Sequence, residues 1–328
     1  MRTEILKKFR DEETYMRDEI REKIQKNSKA TYQEIFGKLL VSISIIIILL
    51  IVSAIFGFIF SKGIATFTEN NAQVKDFFTG TNWNPSMNEK GHPQVGALPM
   101  ILGSFGVTLL AAIFVTPFAI GTALYITELA SKKMKKILQI VIELLVGIPS
   151  VVYGFIGLNV VVPFIRENFG GTGYGILAGA VVLFVMILPT VTSLTVDSLK
   201  AVPKHYRSAS LALGATPWQT MFHVTLKAAT SGILTAIVFG MARAFGEALA
   251  VQMVIGNASL MPTSLLNPAS TLTSVLTMGI GNTVMGTVGN NALWSLALVL
   301  LAILVVFTLT LSSTAVIRVE LSTMLSCK

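Results

Sequence analysis

Arg243 and Glu247 lie four residues apart inside the apolar stretch 229–255. At the centre of a bilayer each ionised group costs about 2.5–3.5 kcal/mol on insertion scales, so their presence calls for a compensating arrangement. On one continuous helix a four-residue spacing puts both on one face, where each partly neutralises the other while that face looks into protein or a wet cavity. Two chemistries fit. A helix-packing ion pair is one, although apolar residues of the same size would pack there with no desolvation cost. An anion pathway is the other, because a guanidinium holds oxyanion oxygens through two parallel hydrogen bonds and keeps its charge when desolvated. A carboxylate beside such a path repels an anion, unless that anion carries a proton and donates a hydrogen bond to it. The pattern makes Arg243 the candidate anion-holding group and Glu247 a candidate acceptor that tests for the proton.

A second constellation lies at 197–228, whose chemistry is that of two short helices meeting at a corner. Pro203 suits a first helical turn, and Gly214 can take the left-handed conformation that ends a helix. Thr216, Pro217 and Gln219 then restart it as cap, first helical residue and returning capping-box side chain. The expected product is a rigid, bent, exposed element, whether connector or docking surface.

Other candidates carry less. Pro117, Pro149 and Pro189 fall within or near apolar stretches and are expected to bend helices. Glu143 either snorkels or pairs with another subunit. His92, His205 and His223 sit in separate loops without ligand spacing, which gives metal catalysis no support. The lone Cys327 forms no intramolecular disulfide. No GxxxxGK[ST] string occurs in the sequence, so this chain does not itself hydrolyse ATP by that route.

The elements that position these residues follow from composition. Of 328 residues, 53% are hydrophobic and 13% charged, and the mean hydropathy is +0.72. An ordinary soluble chain carries about 25% charged residues, so lipid replaces water around much of this one. A span needs about 20 apolar residues, and six candidates appear at 39–60, 98–127, 137–162, 174–196, 229–255 and 292–316. The sequence therefore predicts an all-α, polytopic membrane protein with six transmembrane helices. The net charge of +8 is not a nucleic-acid footprint, since the bases cluster at the ends of spans. With both termini in the cytoplasm, residues 1–38, 128–136, 197–228 and 317–328 hold 20 of the 25 Lys and Arg. The positive-inside rule thus predicts N-in/C-in. Residues 1–38 place Ile5, Phe9, Met16, Ile20 and Ile24 at helical spacing and read as a cytoplasmic amphipathic segment ahead of the 39–328 membrane domain. The apolar run after them is too long for a signal-peptide core.

The string SASLALGATPWQTMFHVTL, residues 208–226, resembles the EAA loop of ABC-importer permeases. Ser208, Ala209 and Ser210 occupy the EAA positions, Gly214 matches the family glycine, and Val224 with Leu226 match the apolar end. Ser208 stands where the family has Glu and Lys227 where it has Pro. Three further strings, GIPSVVYGFIGL (147–158), ILPTVTSLTVDSLKAVP (187–203) and ARAFGEALAVQMVIGN (242–257), with FFTGTNWNP at 77–85, look like the PstC-type permease of the phosphate ABC transporter. The resemblance implies a type I ABC importer permease fold that forms half of a translocation pathway. It implies a second, PstA-like permease, an ATP-binding subunit dimer and an extracytoplasmic phosphate-binding protein. Inorganic phosphate is the implied cargo, and ATP and Mg bind on the ATPase while this chain binds no cofactor. Coupling to the ATPase falls on Ser208, Ala209, Ser210, Leu211, Gly214, Ala215, Thr216 and Pro217. By the same resemblance Arg243 and Glu247 match the charged pair of the pathway. Phosphate near neutral pH carries the proton that Glu247 would test for, and sulfate does not. The rival readings are a permease for sulfate or molybdate, a proton-coupled secondary transporter using Arg243 and Glu247 as its gate, a sensory scaffold, which no residue marks, and an intramembrane enzyme, for which one Arg/Glu pair is too little.

Overall fold

The computed structural model describes residues 15–17, 29–87 and 93–326. The proposed amphipathic segment at 1–38, with its helical spacing, falls largely outside them. Among the described residues six helices are long and apolar enough to cross a membrane: Gln33–Thr68, Leu98–Leu129, Ser150–Phe169, Ile176–Lys200, Pro217–Phe245 and Val288–Thr310. The chain divides into two units, residues 1–58 and 59–328. What is described of the first is helix, with exposed Ile and Leu side chains from Leu39 to Ile51, the composition of a surface meant for lipid tails or another apolar helix.

Helix α1 covers Lys29–Thr68. A short helix α2 (Val74–Thr79) and an antiparallel hairpin, β1 (Trp83–Met87) with β2 (Pro93–Val95), follow it. Trp83 faces Val95 and Asn84 faces Gln94, with an irregularity between Asn84 and Met87. The hairpin is an addition to the all-α expectation. Its signal, Trp-Asn-Pro before a polar stretch and a second Pro, is too short and too polar to announce a strand.

Helix α3 (Leu98–Leu124) continues through Pro117 and ends in a π-helical turn, Tyr125–Leu129. The third predicted span requires correction. Residues 137–162 are not one helix: α4 (Lys132–Gly147) stops, and the membrane-crossing helix is α5 (Ser150–Ile156), a π turn at Gly157–Val161, and α6 (Val162–Phe169). Pro149 is the reason. It disfavours a helical residue before it and supplies no N–H, and Ile148 and Pro149 are both extended. The corner is pinned by the Tyr153 hydroxyl, which donates to the Leu145 carbonyl at 2.8 Å.

Helix α7 (Ile176–Lys200) continues through Pro189 and is the central element, with 61% of its most apolar window buried. The elbow follows as α8 (Lys204–Ala212) and α9 (Pro217–Gln219). A π turn at Thr220–Thr225 then leads into α10 (Leu226–Phe245). The fifth predicted span is also corrected: helix stops at Phe245 and resumes as α11 (Leu249–Val254). Residues 256–291, between the last two predicted spans, contain α12 (Leu272–Ile280), and α13 (Val288–Ser326) closes the fold.

Three apolar clusters hold the second unit together along its length. At the hairpin end Phe77, Met100, Leu272 and Leu296 meet. In the middle Val107, Val115, Leu183 and Ile187 join α3 to α7, with α11 against them through Val251. At the elbow end Leu124, Leu199, Met221 and Ile233 form the third. Small residues allow the helices to approach where apolar attraction between them is weak in lipid. A Cβ on Gly103 would lie 2.1 Å from the Ser270 carbonyl oxygen, a distance that admits no side chain.

Candidate functional site

The break between α10 and α11 governs what Arg243 and Glu247 do. Arg243 sits in the last turn of α10 and Glu247 in the non-helical link after Gly246, so the shared helical face expected from their spacing does not exist. Among the described residues ion pairs join Lys38 to Glu34 and Arg207 to Glu128, and none joins Arg243 to Glu247. Arg243 instead donates from Nη1 to Thr190 Oγ1 on α7, at 2.6 Å. Glu247 Oε1 accepts the Ala250 backbone N–H at 3.1 Å, near the start of α11. A carboxylate at a helix N-terminus satisfies an N–H that has no intrahelical partner. The Glu247 carbonyl, freed by the same break, accepts from the Thr273 hydroxyl at 2.8 Å. One N–H and one carbonyl at the interruption thereby find side-chain partners, as backbone in an apolar surround requires.

The partner element α12 is itself anchored. Thr271 and Ser274 form a reciprocal capping box at its start, and the Leu272 N–H donates to the buried Ser104 Oγ of α3 at 2.9 Å. Around Glu247 the hydroxyls of Ser104, Thr108, Thr271 and Thr273 line a cavity of about 10 Å³. That is about one water molecule's worth of space, far too little for a tetrahedral oxyanion. Arg243, by contrast, is exposed and Thr190 half-buried. Arg243 lies in the last turn of the fifth membrane-crossing helix, where an ionised side chain favours a wet or protein-covered side over lipid.

The elbow is built as its residues dictate. Gly214 has φ +85°, a left-handed conformation that glycine adopts without the Cβ penalty. The Ala215 N–H reaches the Ser210 carbonyl and the Gly214 N–H the Leu211 carbonyl, the two bonds of a Schellman ending. Thr216 and Gln219 then cap the next helix reciprocally, at 2.9 and 3.2 Å. Ser210 and Thr220 hydroxyls meet at 2.9 Å across the corner. The apex is apolar and bare, with Leu213 89% exposed and Leu211 and Trp218 exposed beside it. Of the residues predicted here, Ser208, Ala209, Leu211, Gly214, Thr216 and Pro217 are exposed, and Ser210 and Ala215 half-buried.

Thr190, Thr273 and the Arg207–Glu128 pair were missed. Spacing does not reveal them, because each makes its contact to a different element of the chain. Glu143 hydrogen-bonds Gln139 one turn earlier on α4, at 3.0 Å.

Comparison with known proteins gives the site its context. The family described as binding-protein-dependent transport system inner membrane component matches residues 115–319. A probable ABC transporter permease protein, YqgH of Bacillus subtilis (strain 168), is 50% identical over 277 residues, 84% of this chain and 89% of its own length. The phosphate transport system permease protein PstC of Mesorhizobium japonicum is 33% identical, covering 69% of this chain and 74% of its own. PstC 1 of Mycobacterium tuberculosis is 34% identical over 267 residues, 71% and 78% of the two chains. Among solved structures, an inward-facing form of the MetNI methionine ABC transporter matches with a TM-score of 0.48 at 23% identity, over 65% of this chain and 93% of that one. The chain belongs to the family of binding-protein-dependent transport system inner-membrane components and is a membrane permease of an ABC importer.

Proposed function

We propose that this chain forms half of the translocation pathway of an ATP-driven inorganic phosphate importer. The observation that carries the reading is the exposed Arg243, held by Thr190 in the last turn of the fifth crossing helix on a side its own chain leaves open. A second, PstA-like permease completes the pathway there. The PstC relatives, at 33–34% identity, favour phosphate over sulfate or molybdate as cargo. Arg243 keeps N–H donors beyond the one given to Thr190, enough for two parallel bonds to an oxyanion. The cavity behind Glu247 excludes the anion, but the residue is only half-buried, and on its exposed side its second carboxylate oxygen accepts from a protonated phosphate oxygen.

The elbow docks on an ATPase dimer, which binds ATP and Mg, while this chain binds no cofactor. Leu211, Leu213 and Trp218 present an apolar knob, and the residues 208–217 set its angle. With both termini in the cytoplasm, the hairpin and α12 face the extracytoplasmic phosphate-binding protein, and ATP-driven closure alternates access to the pathway.

Uptake of labelled phosphate at low external concentration, in starved cells carrying the chain, lacking it, or carrying Arg243→Gln, tests this. Loss in both altered strains with sulfate uptake intact is expected. Unchanged uptake in cells lacking the chain and any redundant phosphate system removes the phosphate assignment, and loss of sulfate or molybdate uptake instead names the other cargo.

A further inference from the structure

Helix α8 carries no buried residue. Only Arg207 and Ser210 along it are less than exposed, and both are used for polar contacts. Ser210 meets Thr220 in the π turn that begins the fifth span. Arg207 pairs through Nη2 with Glu128 Oε1 in the π turn that ends the second. The two side chains are 28% and 18% exposed, so the pair is largely withdrawn from water and salt screening. The elbow thus has covalent routes into the fourth and fifth spans, and one charged contact onto the second, 79 residues earlier in sequence.

We infer that the Arg207–Glu128 pair is the strut through which movement of the elbow reaches the second span. An apolar interface would let α8 slide, whereas a charge-assisted contact fixes one point of attachment and transmits push and pull alike. The element it grips is suited to receive the movement. A π turn has a wider, less regular hydrogen-bond ladder than an α-helix and recurs at functional sites. Glu128 lies at the end of that turn, immediately past Leu124 and Ile126, which are buried with Leu199 and Met221 in the cluster at the elbow end. At the residue just before Glu128 the Lys135 ammonium donates to the Thr127 carbonyl at 2.8 Å, tying α4 to the same turn. Displacement of Arg207 therefore loads the end of the second span, whose other end holds Ser104 and the start of α12 beside Glu247. Arg207 and Glu128 are positioning residues, touching neither cargo nor nucleotide.

The inference rests on the elbow docking an ATPase, and its test separates the two. The complex of this chain with its partner permease and ATPase, in lipid vesicles, is followed by hydrogen exchange at residues 208–217 and 125–129 with and without ATP. Exchange at both segments is expected to change in the unaltered complex. In Glu128→Gln and in Arg207→Glu the response at 125–129 is lost while that at 208–217 persists, and ATP hydrolysed per phosphate imported rises about fivefold, the order expected for breaking a half-buried ion pair. The double reversal Arg207→Glu with Glu128→Arg restores both. An equal response at 125–129 in all variants, or singles that the reversal does not rescue, overturns the strut. No ATP response at 208–217 in the unaltered complex overturns the docking and the strut together.

Discussion

Arg243 on α10 donates to Thr190 on α7 at 2.6 Å, and this bond replaces the Arg243–Glu247 pairing that their spacing suggests. Many hydroxyls in the spans bond back to the carbonyl four residues earlier, as Thr195 does to Val191 and Ser198 to Leu194. Thr190 instead accepts from a guanidinium on another helix. Its removal frees Arg243 to take other rotamers. Thr190→Val is expected to raise the phosphate concentration for half-maximal uptake about tenfold, the worth of one hydrogen bond to a charged group, while maximal uptake changes little. Thr190→Ser, which keeps the acceptor, is expected to behave as the parent. A Thr190→Val chain with unaltered half-saturation separates the threonine from the pathway.

Glu247 has two separable jobs. Its Oε1 caps α11 through the Ala250 N–H, and its charge faces the pathway in the proposed mechanism. Glu247→Gln keeps an oxygen that can accept the same bond, so the complex is expected to assemble normally while its preference for phosphate over sulfate falls. Glu247→Ala removes the acceptor as well, at about 1 kcal/mol for a lost cap, and is expected to lower thermal stability in detergent. If Glu247→Gln left uptake rate and preference both unchanged, the proton-testing role would be wrong.

The elbow was legible because every rule that shapes it is local. Gly214, Thr216, Pro217 and Gln219 act on residues within four positions of themselves, and the observed left-handed turn and capping box match their chemistry one for one. The six apolar spans were legible for the same reason, since hydropathy is a property of a window. What was not legible depends on the rest of the chain. The string 137–162 is apolar enough to cross, and only the weight given to Pro149 distinguishes one long helix from α4 plus a crossing helix. The break at Gly246 was hidden because Thr273, 26 residues away in sequence, supplies the hydrogen bond that lets helix stop there. Arg243 and Glu247 were found because charge in an apolar window stands out. Their partners, two threonines, do not.

At the apex of the elbow, Leu213 is 89% exposed and touches no core. Leu213→Asp is therefore expected to leave folding and membrane insertion intact while abolishing copurification of the ATPase. Gly214→Ala tests the bend itself. A non-glycine residue in left-handed geometry costs about 1–2 kcal/mol, so the corner is expected to open and the bound ATPase fraction to fall about tenfold. Retention of the ATPase by both variants moves the docking surface away from this corner.

Thr273 stands at the junction of three constraints. It lies in the first turn of α12, its hydroxyl contacts that of Thr271 at 3.1 Å, and it donates to the carbonyl that the α10–α11 break leaves open. Valine has nearly its shape and no donor. Thr273→Val therefore leaves packing nearly unchanged and strands one acceptor, and an unsatisfied buried polar group costs about 1–3 kcal/mol. Where the backbone at stake lies within a bilayer, the chain can respond only by letting water in or by closing the break into continuous helix. Closure would carry Glu247 onto the face of Arg243 and pair the two charges. Thr273→Val is expected to melt at lower temperature than Thr273→Ser, and to lose phosphate uptake by more than the shift in melting explains. Should uptake instead fall only in proportion to stability, the break at Gly246 is a structural irregularity, and the separation of Arg243 from Glu247 is not what the pathway requires.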